Sequence, residues 1–325
     1  MKNRSYIFNL RFCIILLCMI VFSTTITIAQ DIPKKGSSLF TTIEAAKKYI
    51  INSQNVDGGW PLIPGTESDV EITALAIWSL IDADWGTGSS IIRRGVRYLE
   101  RHQREDGSWN NNTAHTIFSV IALTKAKTAP DIRFRGLQWL KKAQNRSGSW
   151  GSETRNTGHI LYTAASLVGL KKLGLTPRHF RPILTGMEWI ADPERINFDG
   201  GWTLPGGTQS DIYVTSWVLQ ALSPDYDLDE QIAWIKQFQN YDGGFGRYKG
   251  NSSDPEVTAT VIMGLAASED PLNTRRIAIS YFAKAQTENG GFISNIPMEL
   301  TTPTENLQTT CFVLIAIHSK LNTAQ

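Results

Sequence analysis

Cysteine is scarce in this sequence, and its placement excludes an internal disulfide framework. The chain of 325 residues contains three cysteines, of which Cys13 and Cys18 lie in an apolar run near the N-terminus. If processing removes that run, Cys311 has no partner in the chain. Because Cys311 lies in the apolar segment TTCFVLIAI, we expect it to be a buried small side chain. Stability is therefore expected to come from packing.

An excess of charge of either sign is also missing. The sequence has 32 Lys and Arg against 30 Asp and Glu, a formal net charge of +2. Proteins that bind nucleic acid neutralise phosphates with a basic surface, so no nucleic-acid partner is expected. The sequence also lacks a phosphate-binding loop, a dinucleotide fingerprint and the residue order of a Ser-His-Asp triad.

Long hydrophobic runs are limited to one short run near the start. Three basic residues precede the run FCIILLCMIVF over residues 12–22, and Thr27, Ile28 and Ala29 follow it. A membrane-spanning helix needs about 20 apolar residues. A basic start, a short apolar middle and a small-residue exit predict a signal peptide over residues 1–29. We therefore expect export to the periplasm or the extracellular space, with a linker over residues 30–38 and a single domain over residues 39–325.

One short turn, by contrast, occurs six times. Its copies read QNVDGGW, QREDGSW, QNRSGSW, NFDGGW, QNYDGGF and QTENGGF, and they close on Trp60, Trp109, Trp150, Trp202, Phe245 and Phe292. A period of roughly 40–50 residues is typical of folds that repeat one supersecondary unit. Glycine permits the turn, the aromatic covers a neighbouring helix, and glutamine satisfies backbone groups at a helix end. We expect these turn residues to be structural.

Each turn separates two helices of different character. The segment SIIRRGVRYLERHQ, which precedes the second turn, places Ile92, Val96 and Leu99 on one face and charged residues on the other. The segment EITALAIWSLI, which follows the first turn, is apolar nearly all round. A helix without a polar face is enclosed by protein. Six such pairs predict an all-α fold, an (α/α)6 toroid with six inner helices inside six outer helices.

Two of the repeats resemble a known family. The segments RRGVRYLERHQREDGSW and RGLQWLKKAQNRSGSW are similar to the QW repeats of squalene-hopene cyclases and other class II terpenoid cyclases. The β subunits of protein prenyltransferases carry a related repeat. The resemblance extends over roughly residues 40–320. It implies a toroid whose central funnel accepts an isoprenoid or other apolar ligand, which is compatible with peripheral membrane association.

Candidate site residues lie where the inner helices begin, because these turns form the mouth of the predicted funnel. Acids at these positions also cap helices, so a capping role and a catalytic role both stay open. The catalytic candidates are Asp69, Glu71, Asp254 and Glu256, and the ligand-binding candidates are Trp78, His115, His159, Tyr162, Asp211, Tyr213 and Trp217.

The segment DVEITA is similar to the acid motif Asp-X-Asp-Asp-Thr-Ala of the cyclases. In those enzymes the middle aspartate protonates an alkene or an epoxide. The resemblance implies that Glu71 is the proton donor and that Asp69 orients it, whereas Ile72 replaces the last aspartate. It also implies that aromatic side chains such as Trp78 and Trp217 face cationic intermediates.

The zinc site of the protein prenyltransferases is not reproduced. The segment DIYVTSW keeps Asp211, but Tyr213 replaces the cysteine ligand and Val257 replaces the histidine ligand. Catalytic zinc needs about three protein ligands, so neither a metal nor another cofactor is expected. Two further hypotheses stay open: a non-catalytic binding or scaffold module, and a carbohydrate-active enzyme that uses two carboxylates or a Tyr/His pair.

Overall fold

The computed structural model describes residues 38–268, 272–297 and 300–319. The predicted signal peptide and residues 30–37 of the predicted linker lie outside the described residues, so they remain predictions. Within those ranges the chain forms twelve α-helices. The outer helices are α1 Ser38–Asn52, α3 Ser90–His102, α5 Pro130–Ala143, α7 Arg181–Ile190, α9 Asp229–Lys236 and α11 Leu272–Ala285. The inner helices are α2 Val70–Asp82, α4 Thr113–Lys125, α6 Ile160–Lys172, α8 Ile212–Leu222, α10 Pro255–Ala267 and α12 Leu307–His318.

The inner helices form a closed ring. Each packs against the next one along the chain, and α12 packs against α2. Each outer helix packs mainly against the inner helix that precedes it in the ring, with α1 against α12, and α11 also packs against α1. Helix α10 is buried over residues 255–266, whereas α3 buries one face. The predicted all-α toroid is therefore confirmed.

Two short antiparallel hairpins connect a turn aromatic with the following inner helix, and the sequence analysis did not predict them. Strand β1 Trp60–Pro61 pairs with β2 Ser68–Asp69, and β3 Phe292–Ser294 pairs with β4 Thr304–Asn306. A short 3-10 helix spans Pro193–Arg195. Across the described parts of the chain, no helix has the length and apolarity needed to cross a membrane.

Every inner helix begins at a side-chain cap. The capping side chain accepts a hydrogen bond from a backbone N–H in the first turn, which satisfies a donor that the helix itself cannot. The six caps are Asp69, Asn112, His159, Asp211, Asp254 and Asn306. The six capping residues lie on the same side of the ring. This side corresponds to the mouth predicted from the sequence.

The turn aromatic joins the outer helix to the inner helix of its own repeat. The Trp60 indole donates to the carbonyl of Ile50 at 2.7 Å, and its backbone N–H donates to the hydroxyl of Thr73 at 2.8 Å. The second bond recurs at all six turns. Its acceptors are Thr73, Thr116, Thr163, Thr215, Thr258 and Thr310.

The turn glutamine joins one repeat to the next. The Gln54 amide nitrogen donates to the carbonyl of Gly58 at 2.9 Å and to that of Ile91, in α3, at 3.0 Å. We call this pair of bonds the clasp. It recurs at Gln103, Gln144, Gln239 and Gln286. The clasp of Gln286 reaches Thr42 in α1 at 2.9 Å and so joins the last repeat to the first. The expected backbone acceptors are present: one lies in the turn itself and the other in the neighbouring repeat.

The fourth turn lacks the clasp because Ile196 occupies the position of the glutamine. Its Gly200, with φ +91°, has no atom of the described residues within 4 Å of a built Cβ. The equivalent Cβ on Gly148 would lie 2.2 Å from the carbonyl oxygen of Thr185. The following outer helix, α9, has only eight residues and buries Ile235. The fourth turn is therefore packed less closely against its surroundings than the third turn is.

Alanine at equivalent turn glycines tests this difference. Gly148→Ala and Gly200→Ala both place alanine at a left-handed φ, which costs about 1–2 kcal/mol. Gly148→Ala also forces a side chain against the carbonyl of Thr185. We therefore expect its free energy of unfolding to fall by a further amount of roughly 1–3 kcal/mol, the cost of overpacking. Urea unfolding of the two variants measures the difference. Equal losses of stability would contradict the close packing of the third turn against α7.

Candidate functional site

Polar side chains from the inner helices meet at the mouth of the ring. We call Glu71, His115, Tyr213, Glu256 and Gln308 the mouth layer; they lie on α2, α4, α8, α10 and α12. The His115 Nε2 atom lies 3.4 Å from Glu71 Oε2, and the two side chains are 19% and 24% exposed. This pair is therefore partly open to solvent. Four of these five residues, all except Gln308, are among the site candidates predicted from the sequence.

The loop before α4 orients His115. The side-chain nitrogen of Asn110, a residue with φ 55°, lies 3.0 Å from His115 Nδ1. An amide nitrogen can only donate, so the Asn110 N–H donates to His115 Nδ1. The proton of the neutral imidazole then lies on Nε2 and faces Glu71. His115 therefore presents an N–H to the carboxyl group. Asn110 was not predicted as a site residue, because it lies just beyond the second turn motif, which ends at Trp109.

Glu256 is sealed inside the mouth layer. Its carboxyl oxygens accept hydrogen bonds from Gln308 Nε2 at 2.8 Å, from the Thr309 hydroxyl at 2.7 Å and from the Tyr213 hydroxyl at 3.4 Å. The residue has 0% exposure. Burial raises the pKa of Glu256 to about 8, although the hydrogen bonds from Thr309 and Gln308 oppose this shift. Glu256 is therefore mostly protonated at neutral pH.

Tyr213 connects the sealed acid to the centre of the ring. Burial raises the pKa of its phenol well above the usual range, and the charge of Glu256 adds to this effect. The Tyr213 hydroxyl is therefore neutral, and it donates its hydrogen bond to Glu256. Its ring packs edge to face against Trp217 at 6.5 Å between centroids.

The three candidate aspartates are engaged as helix caps. Asp69 accepts from the backbone N–H of Ile72 at 3.0 Å. The orientation of Glu71 by Asp69 stays a prediction. The structure places His115 against Glu71, and Asp69 satisfies a free N–H group at the start of α2.

Besides capping their helices, Asp211 and Asp254 accept further hydrogen bonds. Asp211 is fully buried and pairs with the Arg247 Nε atom at 2.7 Å. Asp254 accepts from the Ser294 hydroxyl at 2.9 Å and from the backbone N–H of Asn295 at 3.0 Å. The structure thus supports the capping role that the sequence left open for both carboxylates.

His159 and Tyr162 lie together on α6. His159 Nδ1 accepts from the backbone N–H of Leu161 at 3.3 Å, so this imidazole is also a helix cap. Its ring packs edge to face against Tyr162 at 5.2 Å between centroids. Burial lowers the pKa of His159, so its neutral form predominates at neutral pH.

Below the mouth layer, aromatic rings fill the axis. We call Trp78, Phe118, Trp217 and Phe312 the central aromatic cluster; their rings lie 5.8–6.5 Å apart where they touch, and each is at most 4% exposed. The sequence predicted Trp78 and Trp217 as walls of a funnel. Both rings instead pack against Phe118, and Trp217 also packs against Phe312, so large side chains occupy the space between the inner helices.

No group of His, Cys, Asp and Glu side chains suited to hold a metal ion occurs among residues 38–268, 272–297 and 300–319. Cys311 is fully buried in α12, and burial raises the pKa of its thiol to about 12. This thiol is therefore protonated at neutral pH and is a packing residue, as expected.

A closed double ring of helices is the architecture of the terpenoid cyclase and prenyltransferase superfamily. The chain matches the prenyltransferase alpha-alpha toroid domain over residues 7–113 and 92–294. It therefore belongs to the prenyltransferase α/α toroid family.

Part of the chain is similar in sequence to a known synthase. Drimenyl diphosphate synthase of Streptomyces showdoensis is 37% identical over 91 residues, which are 26% of this chain and 16% of the synthase. The match thus spans about one sixth of that relative's length.

Two solved structures share the fold at low sequence identity. A variant of the type II terpene cyclase MstE from Scytonema, in complex with geranylgeranyl dihydroxybenzoate, has a TM-score of 0.68 at 14% identity and covers 87% of this chain and 97% of its own. A glycosidase variant in complex with glucose has a TM-score of 0.57 at 15% identity, with 87% and 97% coverage. Identities this low establish the fold alone.

The raised pKa of Glu256 predicts a pH dependence of stability. Between the usual glutamate pKa and about 8, the folded state binds more protons at Glu256 than the unfolded state does. Stability must therefore fall as pH rises through this window, by at most about 1.4 kcal/mol per pH unit. Urea unfolding between pH 5 and 8 should show a steeper decline for wild type than for Glu256→Gln. Parallel profiles would contradict a neutral buried Glu256.

Proposed function

We propose that the mouth layer binds an isoprenoid and starts its cyclisation by proton transfer, as class II terpenoid cyclases do. The observation that carries this proposal is the Glu71–His115 pair, which lies at a partly open mouth. Membership of the toroid family and the isoprenoid-bearing ligand of the MstE structure support the substrate class.

Glu71 is the proton donor in this proposal. Its carboxylic acid proton is transferred to one carbon of an alkene, where the π electron pair forms the new C–H bond and leaves a tertiary carbocation. The N–H of His115 stabilises the carboxylate that remains. Attack by a second double bond on the cation forms a ring, and the final cation loses a proton to water. Glu71 is 24% exposed, so solvent restores its proton.

Aromatic side chains next to the mouth layer stabilise the cation. The face of an aromatic ring carries partial negative charge and attracts a cation within about 6 Å. Tyr213 and Trp217 are in ring contact, and their exposures of 8% and 4% exceed that of Trp78, which is 1% exposed. The rings nearest the mouth therefore supply this role, whereas Trp78 belongs to the deeper packing.

Glu256 does not serve as the donor, because a donor has to contact the substrate. It has no exposed surface, and its oxygens are occupied by Gln308, Thr309 and Tyr213. Its role in the proposal is to position Tyr213. The same burial weighs against hydrolysis of a glycosidic bond by Glu71 and Glu256, because both carboxyl groups would have to flank the sugar.

A cyclisation assay tests the proposal. We expect the detergent-solubilised protein to convert squalene or geranylgeraniol to cyclic products that gas chromatography with mass spectrometry detects. Glu71→Gln removes the transferable proton and should lower the rate by at least roughly a hundredfold. Glu105→Gln, which changes an exposed carboxylate in the second turn, is the matched control and should retain the wild-type rate.

Two results would contradict the proposal in different ways. Equal product from wild type and Glu71→Gln would remove Glu71 from the mechanism while leaving cyclisation in place. Failure of folded wild-type protein to form product from either polyprene would contradict catalysis and favour the binding or scaffold module, for which the filled axis is the supporting observation.

A further inference from the structure

The opposite end of the inner ring carries a charged cluster that the mouth chemistry does not use. Lys125 ends α4, Lys172 ends α6, and Trp78 and Asp82 lie in the second half of α2. We call these four residues the lower cluster. Asp82 pairs with Lys125 and accepts a hydrogen bond from the Trp78 indole at 2.7 Å.

Both ammonium groups of the lower cluster approach one indole ring. The Nζ atoms of Lys125 and Lys172 lie 6.0 Å and 5.4 Å from the centroid of the Trp78 ring. In the inner ring, α4 stands between α6 and α2. Lys172 therefore extends past the neighbouring helix to reach Trp78, and its side chain points toward the axis.

Lys172 is the member of the cluster without an anionic partner. Lys125 pairs with Asp82, and the adjacent Lys171 pairs with Asp225 at 2.8 Å. None of the described residues forms an ion pair with Lys172 or accepts a hydrogen bond from it.

Lys172 lies within range of the charges of Asp82 and Lys125. Its side chain is exposed to solvent, yet protein encloses it closely enough for desolvation to lower the pKa of its ammonium group. The charge of Asp82 opposes this shift, and that of Lys125 adds to it.

We propose that the lower cluster binds a small oxyanion, such as a phosphate, diphosphate or carboxylate group, with Lys172 as its main contact. Two ammonium groups face one carboxylate here, so an anion would neutralise an uncompensated positive charge. Lysine forms strong charge-assisted hydrogen bonds to such groups. The site does not depend on proton transfer at the mouth, so the two proposals can fail separately.

Calorimetric titration at low ionic strength tests the site with inorganic pyrophosphate, phosphate and acetate as probes. Wild type should bind at least one of them, and the order of affinities identifies the preferred head group. Lys172→Gln should weaken that binding about tenfold or more, since a hydrogen bond to a charged group contributes this much. Lys142→Gln, which removes an exposed lysine near the end of α5, is the matched control and should bind as wild type does.

A second variant separates an anion site from a merely structural cluster. Asp82→Asn keeps an acceptor for the Trp78 indole but removes the negative charge that competes with the ligand. Binding should tighten several-fold, and added salt should weaken it. The proposal is overturned if wild type binds none of the three anions, if Lys172→Gln binds as tightly as wild type, or if Asp82→Asn binds more weakly.

Discussion

Six buried backbone N–H groups, one at each turn aromatic, determine how this chain folds. Each donates to a threonine hydroxyl on the inner helix of the same repeat. A buried N–H without an acceptor costs about 1–3 kcal/mol, so each bond fixes an inner helix at a set height beneath its turn. The turn glutamines then join neighbouring repeats, and Gln286 joins the sixth repeat to the first. Closure of the ring follows from these local bonds.

Closure creates two ends with different chemistry. Helix caps and the mouth layer occupy one end, where Glu71 faces His115 from a neighbouring helix. Lysines from the last turns occupy the other end, where Lys172 approaches Trp78. The central aromatic cluster separates the two ends and connects to the mouth through the contact between Tyr213 and Trp217. Each end therefore depends on side chains from different repeats that only a closed ring brings together.

The fold could be predicted from the sequence because helix periodicity and the turn motif are local signals. The Glu71–His115 pair could not be, since its two residues come from different repeats and His115 takes its orientation from Asn110 in a loop. The buried state of Glu256 also escaped prediction, because Gln308 and Thr309 on another helix seal it. The closed aromatic centre was missed for a related reason. Trp78 and Trp217 were predicted to line a funnel, but both pack against Phe118 on a third helix, a contact that no local sequence pattern indicates.

The spacing between the first and last repeats tests ring closure most directly. Spin labels introduced by Lys48→Cys on α1 and Ser280→Cys on α11 would both lie at exposed positions, and Cys311 is buried. Pulsed electron paramagnetic resonance should give a label separation below roughly 30 Å, because packed helices lie about 10 Å apart. An open stack of repeats would place the same labels roughly 50 Å apart, with five interhelix steps of about 10 Å between them. That longer distance would contradict the closed ring and the arrangement of both proposed sites.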